Sequence, residues 1–325
     1  MTEFADGVFQ YGGMPTGTGG GVPTTYGTYY FVDPDVASGS GDGLSKATAF
    51  KYAGEANSAI VTNKHDVVMF NANSAINTAA TNDEMALTKN RSHWVGLGGG
   101  SRYLGQRSRW TMGVTTNTAI AVVQNTGVGN TFTNIKFDSS DTLASSLYAF
   151  ADGGEYTQLT NCEIVKSTDL DQTTSAYLLC NGDSSYYKNC AIGSLVHSRT
   201  AATANVLLAR ETITGKVCRD VIFEDCLFLA NSTSNTFGHV RATGATDVER
   251  MLLFKNCLFN HAVLGSATVA LCFTYSAAQT QGITIVQDGG QVNHTALAKT
   301  SDNVYFLGAP IATAATAGDA VAVTN

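Results

Sequence analysis

The sequence predicts an all-β fold, a parallel β-helix in which short strands coil into a solenoid, and three observations lead there. One hexapeptide pattern returns five times at a near-constant interval, the mark of a stacked repeat. Within each copy the apolar residues follow a period of two, the strand period. The composition fits no helical alternative: charged residues are 14%, Gly numbers 33, Pro only 4, and apolar residues at 44% suffice for a core. A chain of 325 residues accommodates one large domain or two ordinary ones.

The pattern reads apolar, any, Asn or Asp, Cys or Ile, any, Ile or Phe. Its copies are Phe132–Phe137, Leu159–Ile164, Tyr187–Ile192, Phe223–Phe228 and Phe254–Phe259, with 27, 28, 36 and 31 residues between successive Asn/Asp positions. The first, fourth and sixth positions point inward and stack in columns, the fourth being Ile135, Cys162, Cys190, Cys226 and Cys257. The Asn/Asp breaks the alternation, as a left-handed residue in a tight corner between two strands does, and stacked Asn side chains hydrogen-bond along the ladder. An antiparallel sandwich does not account for five registered copies.

Outward positions pair across rungs. Lys188, Glu224 and Lys255 form an alternating charge ladder and Lys136 pairs with Glu163, contacts that select register more than they stabilise. Ala191, Leu227 and Leu258 stack at one outward position and form a candidate trimer interface, Ala191 leaving room for close approach. The alternative is that loops such as 197–217 cover these leucines within one chain. Less regular rungs are expected at 66–70, 92–97, 118–123, 269–273 and 282–286, with long polar loops at 71–90. All seven cysteines follow residue 161 in an odd number without CxxC, so they read as free, buried thiols.

Residues 1–28 form an extended arm in which no regular element or core is expected. Phe4, Val8, Phe9 and Tyr11 are large apolar anchors that the arm cannot bury alone, suited to a partner surface. A floppy terminus is the plain alternative. The β-helix domain spans 29–310, and 311–325, rich in Ala, Thr and Gly, is a C-terminal tail.

The domain opens with Val32-Asp33-Pro34, a Gly/Asp loop, then Gly43-Leu44-Ser45 and Ala47-Thr48-Ala49-Phe50. This segment resembles the start of pectate-lyase-like right-handed β-helix proteins, and Ala47–Ile60 would be a short helix capping the open barrel end. Together with Gln106-Arg107-Ser108-Arg109 and the Asn-Cys rungs, the chain resembles a group of tailed-phage virion proteins. The resemblance implies a capsid decoration or cement protein that binds the major capsid protein on the outer capsid surface. It also implies a homotrimer, with synthesis in the host cytoplasm. A tail spike that binds or cuts host polysaccharide is the alternative, and a free-standing carbohydrate-active enzyme the third reading.

Other chemistry is sparse. Polysaccharide cleavage needs converging carboxylates, and the densest acidic group on the repeat is Asp220, Glu224, Asp225 and Glu249 beside Arg250. Glu224 has its lysine ladder and Asp225 its corner as structural explanations. Asp33, Asp35 and Asp42, or Asp169 and Asp171, could meet a cation, yet turn geometry explains the first set and two carboxylates are too few for the second. Trp94 and Trp110 are the tryptophans available for sugar stacking. Six histidines show no ligand spacing, so no metal, cofactor or catalytic residue is expected. A formal charge of −7 disfavours nucleic acid as partner. No apolar run approaches a membrane span, and the start lacks the basic and apolar regions of a signal peptide.

Overall fold

A computed structural model describes residues 2–3, 9–11, 14–15, 25–36, 41–71, 75–78, 84–98, 108–112, 120–139, 147–167, 175–199, 204–232, 234, 237–262, 269–292, 294–296 and 303–308. Three parallel sheets form the faces of the solenoid. The first has seven strands, from Met85–Leu87 to Phe273–Tyr275. The second has ten, from Tyr29–Val32 to Val304–Leu307, and the third eight, from Ile76–Asn77 to Gly290–Val292. The chain visits them in the order first, second, third, then begins the next rung. This is a right-handed parallel β-helix.

The hexapeptide supplies the second and third faces and the corner between them. Phe132, Leu159, Tyr187, Phe223 and Phe254 occupy one register position, extended backwards by Trp94 and forwards by Val286 and Phe306. Tyr187, Phe223 and Phe254 stack nearly parallel, with ring centroids 4.5 and 5.0 Å apart. Each corner residue is left-handed: Asn134, Asn161, Asn189, Asp225 and Asn256 have φ between 51° and 58°. Their side chains link the corners, Asn161 donating to Asn134 at 3.2 Å, Asn189 to Asn161 at 3.3 Å and Asn256 to Asp225 at 2.7 Å. The strain of an L-residue in this region, about 1–2 kcal/mol, is offset by these side-chain bonds.

The corner cysteines are all buried thiols. Cys162, Cys190, Cys226 and Cys257 each donate a thiol, at 3.5 Å, to the carbonyl of the preceding rung's first pattern residue: Phe132, Leu159, Tyr187 and Phe223.

Four expectations need correction. The capping helix spans only Ala53–Ala59, because Phe50 bridges to Val32 as a strand residue while the Glu55 carboxylate accepts from Lys51 N and Tyr52 N and sets the first turn. Ala53 and Ala56 still close the core end. The 71–90 segment is not all loop: Ile76–Asn77 and Met85–Leu87 are strands too short to show periodicity. The arm contains regular structure, since Thr2–Glu3, Phe9–Tyr11 and Met14–Pro15 pair antiparallel and so satisfy backbone groups of the segment. Finally, Trp94 and Trp110 pack against each other and Phe70 inside the helix, which removes both from any sugar-stacking surface. Residues 311–325 lie outside the described residues.

Candidate functional site

The first face carries Ala121, Tyr148, Ala151, Ala176, Leu179, Ala204 and Leu207 on its outer side, buried with Ala209 and Ile213 into a second apolar layer. Apart from the Tyr148 phenol, which burial pushes up to about 12, these side chains offer no acid, base or nucleophile. Charge is concentrated on the second face and the turn that leads into it.

That turn holds a second left-handed ladder, which the sequence reading missed. Arg91, Gly129, Tyr156, Ser184 and Asp220 all have φ between 48° and 70°, and Tyr156 N donates to Asp183 O and Ser184 N to Arg219 O, both at 2.8 Å. Beside it run the ion pairs. Arg219 reaches Asp183 on the previous rung at 2.9 Å and Glu249 on the next at 2.8 Å. Arg250 pairs with Asp220, and Lys216 with Glu155 at 3.4 Å. Arg219 holds the Glu249 carboxyl below its usual range. Glu224 lies between Lys188 at 4.0 Å and Lys255 at 3.3 Å, and also accepts from the Tyr186 hydroxyl. The phenol, then Lys255 and Lys188, keep Glu224 below the ordinary glutamate value. Lys136 meets Glu163 at 3.4 Å. The acids singled out from the sequence are therefore brought near one another along the rungs, each already engaged: Asp220, Glu224 and Glu249 by cations and Asp225 by Asn256.

Inside the same turns lies a polar spine. Trp94 Nε1 donates to Ser92 Oγ, which donates to Asn130 Oδ1, both at 2.9 Å. Asn130 donates to Asn125, and Asn125 to Thr157, both at 2.8 Å. The spine ends on Asp152, fully buried, which accepts from Tyr187 OH at 2.6 Å, Ser185 Oγ at 2.8 Å, Thr157 Oγ1 at 2.9 Å and Gly154 N at 3.0 Å. Burial pushes its carboxyl up while these donors pull it down, leaving it raised. Asx-Gly pairs such as Asp152-Gly153 and Asn181-Gly182 were the available signal for this turn.

The remaining expected positions fall as follows. Phe9 and Tyr11 lie in the middle strand of the arm; Phe4 and Val8 lie outside the described residues, as do Asp169 and Asp171. Ala191, Leu227 and Leu258 do stack in register on the third face, but the single chain already buries Ala191 to 1% and Leu227 to 7% exposure, leaving Leu258 half-buried. Asp33 and Asp42 cap turns, accepting from Asp35 N and Leu44 N at 3.0 Å each. Among the described residues no three His, Cys, Asp or Glu gather into a metal site, and no helix is long and apolar enough to cross a membrane. His65 Nδ1 and His93 Nε2 do meet at 3.0 Å, a pair invisible in the spacing. A surface cavity of about 260 Å³ opens over the first rungs, lined by Phe31, Met69, Ala49 and Leu97 with Asp33, Lys46 and Asn71.

No protein-family model and no curated protein matches the chain. Solved structures do. The pectate lyase Pel9A aligns over 93% of this chain and 80% of its own, with TM-score 0.54 and 10% identity. A pectin methylesterase solved with a hexasaccharide aligns over 90% and 92%, with TM-score 0.53 and 12% identity. The deglycosylated pectin methylesterase of Aspergillus niger aligns over 91% and 93%, at 0.50 and 13%. At such identities the likeness is one of fold: the protein has the right-handed parallel β-helix architecture these enzymes use.

Proposed function

We propose that this chain is a structural protein of a virion, a capsid decoration or cement protein that attaches to the major capsid protein and strengthens the head. The observation that carries the reading is the engagement of its acids. Asp183, Glu249, Asp220 and Glu224 are tied by Arg219, Arg250, Lys188 and Lys255 into ion pairs running from rung to rung. A glycosidase-type centre instead keeps two carboxylates free to face one substrate bond. The arm strands, from Thr2–Glu3 to Met14–Pro15, pair among themselves rather than joining the helix sheets, which suits a separate attachment element. Three copies would meet along the Ala191–Leu227–Leu258 column, where half-buried Leu258 is its most accessible apolar residue.

Quantitative mass spectrometry of purified virions tests this. Copy numbers on the scale of the major capsid protein are expected; a copy number on the scale of tail fibres would overturn the head assignment. The second reading, a polysaccharide-binding or polysaccharide-cleaving β-helix, is favoured by the fold shared with the pectate lyase and pectin methylesterases. Release of unsaturated fragments or of methanol from pectin, or depolymerisation of the host surface polysaccharide, would establish it.

A further inference from the structure

Cys180 ends the strand Ala176–Cys180, and Cys218 begins Cys218–Glu224 one rung later. Their sulfurs lie 3.8 Å apart, and both side chains are buried. The corner cysteines reach backbone carbonyls, Cys226 also neighbouring the thiols of Cys190 and Cys257, whereas Cys180 directs its thiol at the Cys218 sulfur. The backbone just beyond is pinned: Arg219 N donates to Gly182 O at 3.1 Å and Ser184 N to Arg219 O at 2.8 Å.

We propose that Cys180 and Cys218 are an oxidative modification site, forming a disulfide between consecutive rungs when the protein meets a peroxide. Two sulfurs in contact need to close only to about 2.05 Å, a shift that side-chain rotation can provide between segments already held together. The step balances. Hydrogen peroxide oxidises one thiol to a sulfenic acid and is reduced to water. The second thiol then attacks that sulfur, the S–S bond forms, the S–O bond breaks, and the hydroxyl leaves with the thiol proton as a second water. The bond joins residues 38 apart and so constrains the unfolded chain across a whole rung. In a reducing compartment the redox poise keeps the pair as thiols, and elsewhere the neighbouring Cys218 and burial hold the Cys180 thiol well above its usual value, leaving little thiolate to react. Oxidation is accordingly slow near neutrality and accelerates with rising pH.

The test is a peptide map of the full chain after hydrogen peroxide treatment, with the remaining thiols alkylated under denaturing conditions. Cleavage after Lys and Arg places Cys180 in 167–188 and Cys218 in 217–219, apart from every other cysteine. The expected result is these two peptides joined, with the loss of two hydrogens and a rise in Tm on the order of 5 °C that a reductant reverses. Recovery of both peptides fully alkylated would overturn the proposal, as would a predominant link among Cys190, Cys226 and Cys257. Cys180→Ser and Cys218→Ser should each abolish the joined peptide and the Tm rise. If either variant fails to fold, the map of the unaltered protein still decides.

Discussion

Asp152 shows how one residue couples the interior to pH. Its carboxyl is buried, and burial raises it from the ordinary 3.8 against the hydrogen-bond donors of Tyr187, Ser185, Gly154 and Thr157 that lower it. A raised folded value means that the fold holds the proton more tightly than the unfolded chain does. Its contribution is therefore fully present below 3.8 and is lost as pH rises through the folded value. Asp152→Asn removes that dependence, so the urea midpoint of the variant should gain on the unaltered protein between acid and neutral pH. Parallel midpoints across that range would sink the idea. Cys257 presents the opposite case, an apolar niche with one weak donor. Cys257→Asp should destabilise by on the order of 4 kcal/mol in denaturant titration, and Cys257→Ala by only about 1 kcal/mol. A mild effect of the aspartate would mean the column is open to water.

At the scale of elements, legibility follows exposure. The second and third faces were readable because outward Thr160, Lys188 and Lys255 alternate with inward Leu159, Tyr187 and Phe254. The first face was not: Ala176-Tyr177-Leu178-Leu179-Cys180 is buried on both sides, and a strand covered twice shows no alternation. The ladder of Arg91, Tyr156, Ser184 and Asp220 escaped notice because its residue types share nothing, their left-handed geometry being imposed by the stacked backbone. The charge ladder, by contrast, was readable once the register was known. Turns also set what each strand tolerates. Gly193 opens a bulge in Ala191–Arg199 at φ +100°, and an added Cβ would lie 2.0 Å from Leu229 O. Gly215, at φ +74°, has open space around it. Gly193→Ala should therefore lower stability far more than Gly215→Ala, which carries only a backbone cost of about 1 kcal/mol. Equal melting temperatures for the two would contradict the bulge geometry.

For the whole molecule, the arm strands and the helix sheets share no backbone pairing among the described residues. Among the described residues the main core runs from Tyr30 to Phe306, and the arm strands form a sheet of their own. Deleting residues 1–25 should leave circular dichroism and melting unchanged while abolishing sedimentation with capsids. Unchanged co-sedimentation would move attachment to the helix body. What the sequence could not reveal at this scale is what the surface meets: ion pairs such as Asp183–Arg219–Glu249 serve rung register, and their residue types do not distinguish a structural lattice from an emptied catalytic groove.

The in-register pairing of successive rungs has a mechanical consequence. Backbone hydrogen bonds between rungs run along the solenoid axis, so a tensile load applied near Tyr29 and Leu307 would be borne by the bonds of one rung interface acting together. Failure should be stepwise, beginning at an end where a strand such as Val304–Leu307 has, among the described residues, a neighbour on one side only. Each rupture frees a single coil, and the repeats Asn134 to Asn161 and Asn161 to Asn189 span 27 and 28 residues. Stretched in an optical trap, the chain should lengthen by roughly 90–120 Å per event at about 3.4 Å per residue, the longer steps coming from the 36- and 31-residue repeats. A single all-or-none rupture would mean that the coils yield as one body rather than as a stack of springs.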